Sequence, residues 1–422
     1  MSMINKEILR QIVAQQKEEK LTAGTVRRDI LDEIEKWFAD DRIIILTGLR
    51  RSGKSTLLKQ MMQNKKNYCY VNFEDERFLD FNAQDFEQLN EILTEFYGRI
   101  ETYFFDEIQN IDKFETFVRR LQDEGKKVII IGSNASLLSK ELGTRLTGRY
   151  KSFEIYPFSF YEYLTFNKIK LEKDSFYITQ KKVKLIKNFK EYLLNGGLPE
   201  YLKNKDKEYV RTLYENILFR DIIARYSIKR QKIIKELVNF LMSNISTTFT
   251  YNSLKNLLGL SNAITVKEYV FYLSNSYLLF ELQKFDFSIK KQLNSPKKIY
   301  VVDPAFSLIG SNFSANKGRI LENAVFIELK RGDKEIYYYS GKNECDFLIK
   351  EGAKIKEAIQ VCYILDKDNK KREIDGLLEV MNMFNLKEGF ILTEEQEDEL
   401  EVNNKKIHVI PTFKWMMKNN NF

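Results

Sequence analysis

The chain has 422 residues, a net charge of +8 from 68 basic and 60 acidic side chains, and 43% hydrophobic residues. A chain of this length is too long to fold around one ordinary hydrophobic core, so two to four domains are predicted. The mild positive charge permits contact with nucleic acid but does not demonstrate it. Three scattered cysteines and one histidine exclude a disulfide framework and a histidine-rich zinc site, and no apolar run is long enough to cross a membrane, so we expect a cytoplasmic protein without membrane contact.

The amino-terminal half predicts an α/β domain. Residues 1–41 are expected to form helices that pack on this domain. From residue 42 to 165, apolar strands alternate with helical stretches, which predicts a parallel sheet with helices on both faces. The predicted strands are 42–47, 68–73, 101–105, 127–132 and one near 150–156.

A phosphate-binding motif lies between the first strand and a helix predicted over 55–63. The segment reads Gly-Leu-Arg-Arg-Ser-Gly-Lys-Ser and fits G-x-x-x-x-G-K-[ST] at every position. In such a loop the backbone N–H groups face a phosphate, Lys54 reaches the β- and γ-phosphates, and Ser55 ligates Mg²⁺. The predicted nucleotide-binding residues are Gly48, Leu49, Arg50, Arg51, Ser52, Gly53, Lys54, Ser55 and Thr56.

Polar residues end the third and fourth predicted strands. Asp106 is expected to complete the Mg²⁺ site, and Glu107 to polarise an attacking water as general base. The alternative is an ordinary solvated turn after a strand. Ser133 and Asn134 follow the fourth strand, where Asn134 is expected to sense the γ-phosphate, although both residues also suit a helix N-cap.

Arginines before the last strand are candidates for an arginine finger. Arg145 and Arg149 lie where such a group would emerge to stabilise charge on the transferred phosphoryl group, often in a neighbouring subunit. Ordinary surface charge is the alternative. Arg220 is a weaker candidate, since an ion pair with Asp221 fits equally well.

Three segments follow the α/β domain. Residues 166–245 predict a helical lid or connector, and 246–303 read as helix, turn, helix and hairpin, which is typical of a winged helix. A basic hairpin tip would suit DNA phosphates, yet the second helix offers few base-reading side chains, so DNA contact is left open. The lysines assigned to this tip are Lys284, Lys290, Lys291, Lys297 and Lys298. Residues 304–422 predict a second α/β domain.

The motifs together resemble prokaryotic AAA-type ATPases with an AAA_14-like P-loop domain, in the branch with a C-terminal DUF4143 domain. The resemblance runs from about residue 25 to about 400, and it implies ATP binding and hydrolysis with Mg²⁺. Beside the phosphate-binding loop, the motifs that carry it are Phe-Phe-Asp-Glu-Ile-Gln, Gly-Ser-Asn-Ala-Ser-Leu-Leu-Ser, Leu-Thr-Gly-Arg, Tyr-Pro-Phe-Ser-Phe, Gly-Gly-Leu-Pro-Glu and Phe-Arg-Asp-Ile.

The last domain resembles the PD-(D/E)xK nuclease fold with two positions replaced. That chemistry needs carboxylates that gather Mg²⁺ and a lysine that activates water. The corresponding positions here are Glu322, Asp346, Gln360 and Cys362. Glutamine removes a charge and cysteine removes the cation, although Lys350 or Lys356 could reach the site, so we expect a domain that has lost catalysis.

These observations predict an ATPase whose nucleotide state is coupled to the winged-helix and nuclease-like regions. Two alternatives stay open: an ATP-switched regulator that binds nucleic acid and turns over slowly, and an ATP-controlled nuclease. Assembly with other copies of the chain is also left open, because an arginine finger acts between neighbours.

Overall fold

The computed structural model describes residues 4–18, 24–63, 65–133, 148–309 and 316–417. The chain divides into two compact units, Met1–Tyr156 and Pro157–Phe422. The first contains the predicted amino-terminal helices and nearly all of the predicted P-loop domain. The finer division at residues 165, 245 and 303 stays a prediction.

The first unit is built on a five-stranded parallel sheet with the order β2-β3-β4-β1-β5. Its strands are β1 Ile43–Gly48, β2 Tyr68–Asn72, β3 Thr102–Asp106, β4 Lys127–Ile131 and β5 Tyr150–Ile155. These bounds confirm all five predicted strands to within one residue. Because all strands are parallel, their carboxyl ends lie at one edge, where the candidate site residues follow β1, β3 and β4.

Helices cover both faces of this sheet, as predicted. They are α1 Lys6–Lys17, α2 Leu31–Glu35, α3 Lys54–Met62, α4 Phe86–Tyr97 and α5 Phe114–Asp123, with short 3₁₀ turns over Glu76–Phe78, Ala83–Asp85 and Ile108–Asn110. Successive residues of a strand point to opposite faces. Accordingly, Ile43 and Ile45 pack with α1, α4 and α5, whereas Ile44 and Leu46 pack with α2 and α3.

The second unit begins with helices, as predicted for residues 166–245. They are α6 Phe160–Phe166, α7 Thr179–Asn195, α8 Pro199–Asn204, α9 Lys207–Asn216 and α10 Gln231–Ser243, with a 3₁₀ turn over Lys173–Phe176 and a π-helical stretch over Ile217–Ala224. Within that stretch Asp221 is buried and Arg220 is exposed.

The turn between α7 and α8 packs against the buried carboxylate of Asp303. Asp303 accepts hydrogen bonds from the backbone N–H groups of Gly197 (2.7 Å) and Ala305 (2.9 Å). A Cβ on Gly196 would lie 1.8 Å from Oδ1 of Asp303, and one on Gly197 would lie 2.3 Å from the carbonyl oxygen of Phe158. Only glycine fits at these two positions. Burial raises the pKa of Asp303 to about 7, although both backbone donors lower it.

Residues 246–303 contain the two predicted helices and the predicted hairpin. The elements are β6 Thr248–Phe249, α11 Tyr251–Leu257, α12 Ala263–Asn275, β7 Leu279–Gln283, α13 Ile289–Asn294 and β8 Lys297–Val301. The strands form an antiparallel sheet in the order β6-β8-β7, and α13 lies in the connection between β7 and β8. The assignment of this segment as a DNA-binding winged helix stays a prediction.

The rest of the second unit is a mixed six-stranded sheet with the order β13-β14-β12-β11-β10-β9. After a 3₁₀ turn over Pro304–Leu308, its elements are α14 Lys317–Arg331, β9 Glu335–Ser340, β10 Glu344–Glu351, β11 Lys354–Val361, α15 Lys370–Met383, β12 Glu388–Thr393, β13 Asp398–Val402, β14 Lys405–Pro411 and α16 Thr412–Met417. The sequence did not predict β13, an edge strand with acidic, mostly exposed residues. No helix in the described ranges combines the length and apolarity needed to cross a membrane.

Candidate active site

The predicted phosphate-binding loop lies between β1 and α3 at the carboxyl edge of the first sheet. Gly48 has a φ of 144° and Gly53 a φ of 94°, both in the region that favours glycine. A Cβ on Gly48 would lie 2.1 Å from the carbonyl oxygen of Ile155, so this glycine also lets β5 pair closely with β1. Since α3 begins at Lys54, the loop sits at a helix N-terminus, where backbone N–H groups favour an anion.

The side chains of the loop offer hydrogen-bond donors. Lys54 is buried, and its Nζ donates to the carbonyl oxygens of Gly48 (3.0 Å) and Leu49 (2.9 Å). Within the described part of the chain, Ser52 Oγ is buried without a hydrogen-bond partner. A buried hydroxyl needs a partner, so the loop suits an anionic group such as phosphate.

The remaining predicted loop residues differ in their surroundings. Leu49 is buried beneath the loop, and Thr56 is half-buried on α3. Arg50 forms an ion pair with Glu74 (2.8 Å), a residue that follows β2, whereas Arg51 is exposed with a φ of 64°. The loop arginines therefore face different environments.

The two predicted Mg²⁺ ligands lie together. The Ser55 hydroxyl is hydrogen-bonded to the carboxylate of Asp106, the last residue of β3. Burial and the neighbouring Glu107 carboxylate raise the pKa of Asp106 to about 7, while Ser55 and the Lys54 charge lower it. A buried carboxylate with this environment favours a cation nearby, so the residues present fit a divalent metal ion.

Glu107 follows Asp106 directly, at the carboxyl end of the same strand β3. It has a φ of 52°, an uncommon conformation for a residue other than glycine, and its N–H donates to the carbonyl oxygen of Ile131 at 2.9 Å. Its Oε2 accepts hydrogen bonds from Ser133 Oγ (3.3 Å) and from Gln109 Nε2. Ser133, which follows β4, and Gln109, in the turn after β3, thus fix the carboxylate of the predicted general base.

A buried arginine that the sequence analysis did not single out supports the loop. Arg28 is 3% exposed, and its guanidinium donates to the carbonyl oxygens of Ser52 (2.9 Å) and Tyr156 (2.7 Å). Its backbone N–H donates to Gln60 on α3 (3.3 Å). Arg28 therefore joins the phosphate-binding loop to the residue that follows β5.

The finger candidate Arg149 lies away from the phosphate-binding loop. Arg149 precedes β5, and its carbonyl oxygen accepts from Ile43 N–H, at the amino end of β1. A six-residue strand separates it from Gly48 by about 17 Å, and its guanidinium pairs with Asp123. Asn134 and Arg145 lie outside the described residues.

A second polar cluster lies in the second unit, at the predicted nuclease-like positions. Nζ of Lys298 contacts Glu322 (3.1 Å), Glu344 (2.6 Å) and Asp346 (2.8 Å). Burial alone would lower the pKa of Lys298, but the carboxylates of Asp346 and Glu322 outweigh it and raise that pKa well above its usual value. The cluster lines a cavity of about 760 Å³.

The predicted basic hairpin tip is wrong for two of its five lysines. Lys297 and Lys298 lie on β8 and are only 5% and 2% exposed. Lys297 Nζ donates to the carbonyl oxygens of Leu293 and Ser295, and Lys298 enters the acidic cluster, so neither ammonium faces solvent. Other lysines of the tip, such as Lys290, remain exposed, and DNA contact through this segment stays a prediction.

Gln360 and Cys362, the two replaced positions, also border the cavity. The Gln360 amide accepts from the Asp346 N–H (3.2 Å) and donates to Glu373. Cys362 is buried, and burial raises the pKa of its thiol to about 12, so it stays protonated at neutral pH. Neither Lys350 nor Lys356 lines the cavity.

Comparison with known families agrees with the site in the first unit. Residues 40–164 match the AAA domain family AAA_14, and residues 186–315 match a domain of unknown function, DUF8612. The first range contains the loop, Asp106, Glu107 and Ser133, so the chain carries an AAA-type P-loop domain. The DUF4143 part of the resemblance is not confirmed.

Two relatives align with nearly the whole chain. The uncharacterized protein MJ1544 of Methanocaldococcus jannaschii is 36% identical over 441 residues, which cover 99% of this chain and 97% of that protein. An uncharacterized protein of Haemophilus influenzae is 29% identical, covering 93% and 98%. Among solved structures, the Walker-type ATPase PABY2304 of Pyrococcus abyssi is similar with a TM-score of 0.41 and 15% identity, covering 68% of this chain and 97% of that one.

Proposed function

The chain belongs to the family of the protein MJ1544 of Methanocaldococcus jannaschii, and on that premise we propose that its AAA domain binds ATP with Mg²⁺ and hydrolyses the ATP to ADP and phosphate. One observation carries this proposal. A phosphate-binding loop, a carboxylate hydrogen-bonded to Ser55, and a second carboxylate held by Ser133 meet at the carboxyl edge of one sheet.

The loop residues would bind the phosphates. Lys54 would exchange its bonds to the loop carbonyls for bonds to β- and γ-phosphate oxygens, and the Ser52 hydroxyl would gain an acceptor. Arg28 would act as a positioning residue, since its guanidinium holds the carbonyl oxygen of Ser52 within the loop. The helix N-terminus at Lys54 adds favourable backbone dipoles.

Ser55 and Asp106 would hold Mg²⁺, which neutralises charge on the phosphate oxygens during transfer. The proposal is supported by the cost of keeping Asp106 ionised beside Glu107 in a buried site, a cost that a bound cation removes. Ser55 projects from α3 and Asp106 from β3, and these two elements share one hydrophobic core that sets the positions of both residues.

Hydrolysis breaks the bond from the γ-phosphorus to the oxygen that remains on ADP and forms a bond to a water oxygen. Glu107 accepts a proton from that water at Oε1, while Ser133 and Gln109 hold Oε2. The proton then passes to the phosphate product, which restores the carboxylate. Lys54 stabilises the charge that develops on the transferred group.

Arg149, as an arginine finger, would act between copies of the chain. Arg149 lies at the amino end of its own sheet, so only the nucleotide of a neighbouring copy is within its reach. Sizing the protein with and without a non-hydrolysable ATP analogue tests this part. A monomer under both conditions would remove Arg149 from the proposal.

The test of the proposed function separates binding from chemistry. Lys54→Ala is expected to abolish binding of a fluorescent ATP analogue, whereas Glu107→Gln should retain binding and lower phosphate release by about 10²–10⁴-fold. Two matched controls are Lys59→Ala on the same helix and Glu101→Gln, which lies just before the opposite end of β3. Both controls should behave as the wild type.

Binding without turnover would favour the alternative function. If the wild type binds the analogue but releases phosphate no faster than Glu107→Gln, hydrolysis is contradicted and a slowly cycling ATP switch is supported. Equal loss of binding in Lys54→Ala and Lys59→Ala would contradict the assignment of the loop itself.

A further inference from the structure

The acidic cluster of the second unit is centred on a lysine side chain. An ammonium group has three N–H donors, and Lys298 Nζ has one carboxylate for each: Glu322 at 3.1 Å, Glu344 at 2.6 Å and Asp346 at 2.8 Å. Lys298 is 2% exposed, and its partners Glu322 and Asp346 are nearly buried, whereas the Glu344 side chain is 47% exposed. The donor capacity of the ammonium is therefore filled by the cluster.

The carboxylates are also fixed by neutral donors. Tyr300, two residues beyond Lys298 on the same face of β8, donates its hydroxyl to Oε1 of Glu322 at 2.7 Å. The N–H of Val361 donates to Oδ2 of Asp346 at 2.9 Å. The ion pairs and hydrogen bonds within the cluster thus offset the free-energy cost of burying its charged groups.

With the Lys298 ammonium among the carboxylates, these residues do not fit the divalent metal ion that a nuclease-like site implies. Mg²⁺ requires about six oxygen ligands at 2.0–2.1 Å in near-octahedral geometry. In the described ranges, no group of three or more His, Cys, Asp or Glu side chains is arranged to hold a metal ion. Gln360 supplies no charge and is hydrogen-bonded to Glu373, and Cys362 supplies no cation.

We infer that Lys298 is a built-in replacement for the metal ion, so that this pocket keeps its carboxylates together without a divalent cation. A tethered ammonium cannot polarise water as a metal does, and hence the pocket lacks the means to cut nucleic acid by metal-activated water. The replacement comes from β8, outside the predicted nuclease-like segment 304–422.

The same contact fastens β8 to the C-terminal sheet. Lys298 reaches Glu322 on α14 and Asp346 on β10, and Asn323 of α14 adds two hydrogen bonds to the backbone of Val301, at 2.8 and 2.9 Å. The ion cluster therefore has a structural consequence besides its electrostatic one. Removal of the ammonium should loosen this junction unless another cation takes its place.

The experiment titrates Mn²⁺, in the absence of nucleotide, into full-length protein carrying Asp106→Asn to remove the metal ligand of the first unit. Binding is read from loss of the free Mn²⁺ paramagnetic resonance signal and from the thermal unfolding midpoint. This parent should bind no Mn²⁺ in the pocket. Lys298→Met should lower the midpoint, gain Mn²⁺ binding, and recover by about 3 °C or more when Mn²⁺ is added.

The adjacent lysine provides the matched control. Lys297→Met removes a buried ammonium that donates to backbone carbonyls and lies over the Tyr251 ring, outside the carboxylate cluster, so it should gain no Mn²⁺ binding. Mn²⁺ binding by the parent that Asp346→Asn abolishes would overturn the inference. A folded Lys298→Met protein that ignores Mn²⁺ would overturn it as well.

A neutralised variant keeps the inference testable if Lys298→Met does not fold. Adding Glu322→Gln and Asp346→Asn to Lys298→Met removes the two nearly buried uncompensated charges while nearly preserving side-chain shape, and it leaves the half-exposed Glu344 unchanged. Folding should then be restored, without any response to Mn²⁺. Failure of the triple variant to fold would contradict the role of Lys298 as the balancing cation.

Discussion

Replacing Arg28 with methionine should weaken ATP binding although Arg28 is not among the residues proposed to contact ATP. The guanidinium joins the carbonyl of Ser52, inside the phosphate-binding loop, to the carbonyl of Tyr156, at 2.9 and 2.7 Å. Methionine keeps an apolar stem of similar length but supplies neither donor. The change therefore isolates the two hydrogen bonds from the packing of the stem.

The magnitude follows from the hydrogen bond to the loop. A hydrogen bond that involves a charged donor contributes about 1.5–3 kcal/mol, and a buried carbonyl left without a donor costs about 1–3 kcal/mol. Destabilising the ATP-binding conformation of the loop by about 2 kcal/mol at Ser52 lowers ATP affinity about 30-fold. Loss of the bond to Tyr156 should lower the thermal unfolding midpoint of the first unit in addition.

The assay is a titration with a fluorescent ATP analogue and Mg²⁺, paired with thermal unfolding. Arg27→Met is the matched control, because Arg27 is the adjacent residue, is 58% exposed and pairs only at the surface with Asp32 among the described contacts. Its affinity should stay within about twofold of wild type. Arg28→Lys should fall between, since an ammonium cannot span both carbonyls as the planar guanidinium does.

A folded Arg28→Met protein with the affinity of the wild type would refute this reasoning. It would show that the loop reaches its binding conformation without support from Arg28. The same 30-fold loss in Arg27→Met would refute it differently, because a general effect of positive charge near the site would then explain both variants.

Three further changes have defined outcomes. Ser133→Ala should lower the phosphate-release rate up to about tenfold at unchanged KM, because Glu107 loses one hydrogen bond that orients it. Asp303→Asn should flatten the pH dependence of the free energy of unfolding. The pKa of Asp303 is about 7 in the folded protein and lower in the unfolded chain, so the folded wild type binds the proton more tightly. Its free energy of unfolding therefore rises by about 1.4 kcal/mol as the pH falls from 8 to 6. Gly48→Ala should lower the free energy of unfolding by about 3 kcal/mol in urea titrations, since its Cβ would overlap the carbonyl of Ile155.

Each change has a control of the same chemical type. Ser152→Ala on an exposed strand position should leave phosphate release unchanged, and Asp333→Asn in an exposed turn should leave the pH profile unchanged. Gly125→Ala has positive φ but no atom within 4 Å of the added Cβ, so it should cost only about 1 kcal/mol. Matching effects in variant and control would contradict the corresponding assignment, as would an Asp303→Asn profile that still rises toward pH 6.

Much of the first unit could be predicted from the sequence because its signals are local. Each strand is a short run of apolar residues. The residues of the phosphate-binding loop are consecutive in the sequence, so their role can be predicted without knowledge of tertiary contacts. The pairing of Ser55 with Asp106 followed from one rule, that parallel strands end at a common edge. The strand β13 was not predicted because it is an acidic edge strand without an apolar face.

Buried cations could not be recognised in this way. Arg28 and Lys298 act through partners 24 or more positions away. The sequence did not distinguish Arg28 from other charged residues, and it placed Lys298 in a basic hairpin tip. One signal was available for Lys298: it alternates with Tyr300 in a strand, which places both on one face. For Arg28 the sequence contains no comparable pattern, since the residues around it form a turn before α2.

The central claim, hydrolysis of ATP by the AAA domain, is tested most directly by phosphate release in water enriched in oxygen-18. At saturating ATP and Mg²⁺, the wild type and Glu101→Gln should release phosphate that carries one oxygen from water, and Glu107→Gln should release it at least about 100-fold more slowly. Equal rates for wild type and Glu107→Gln, or ATP that stays intact in the presence of wild-type protein, would contradict the claim.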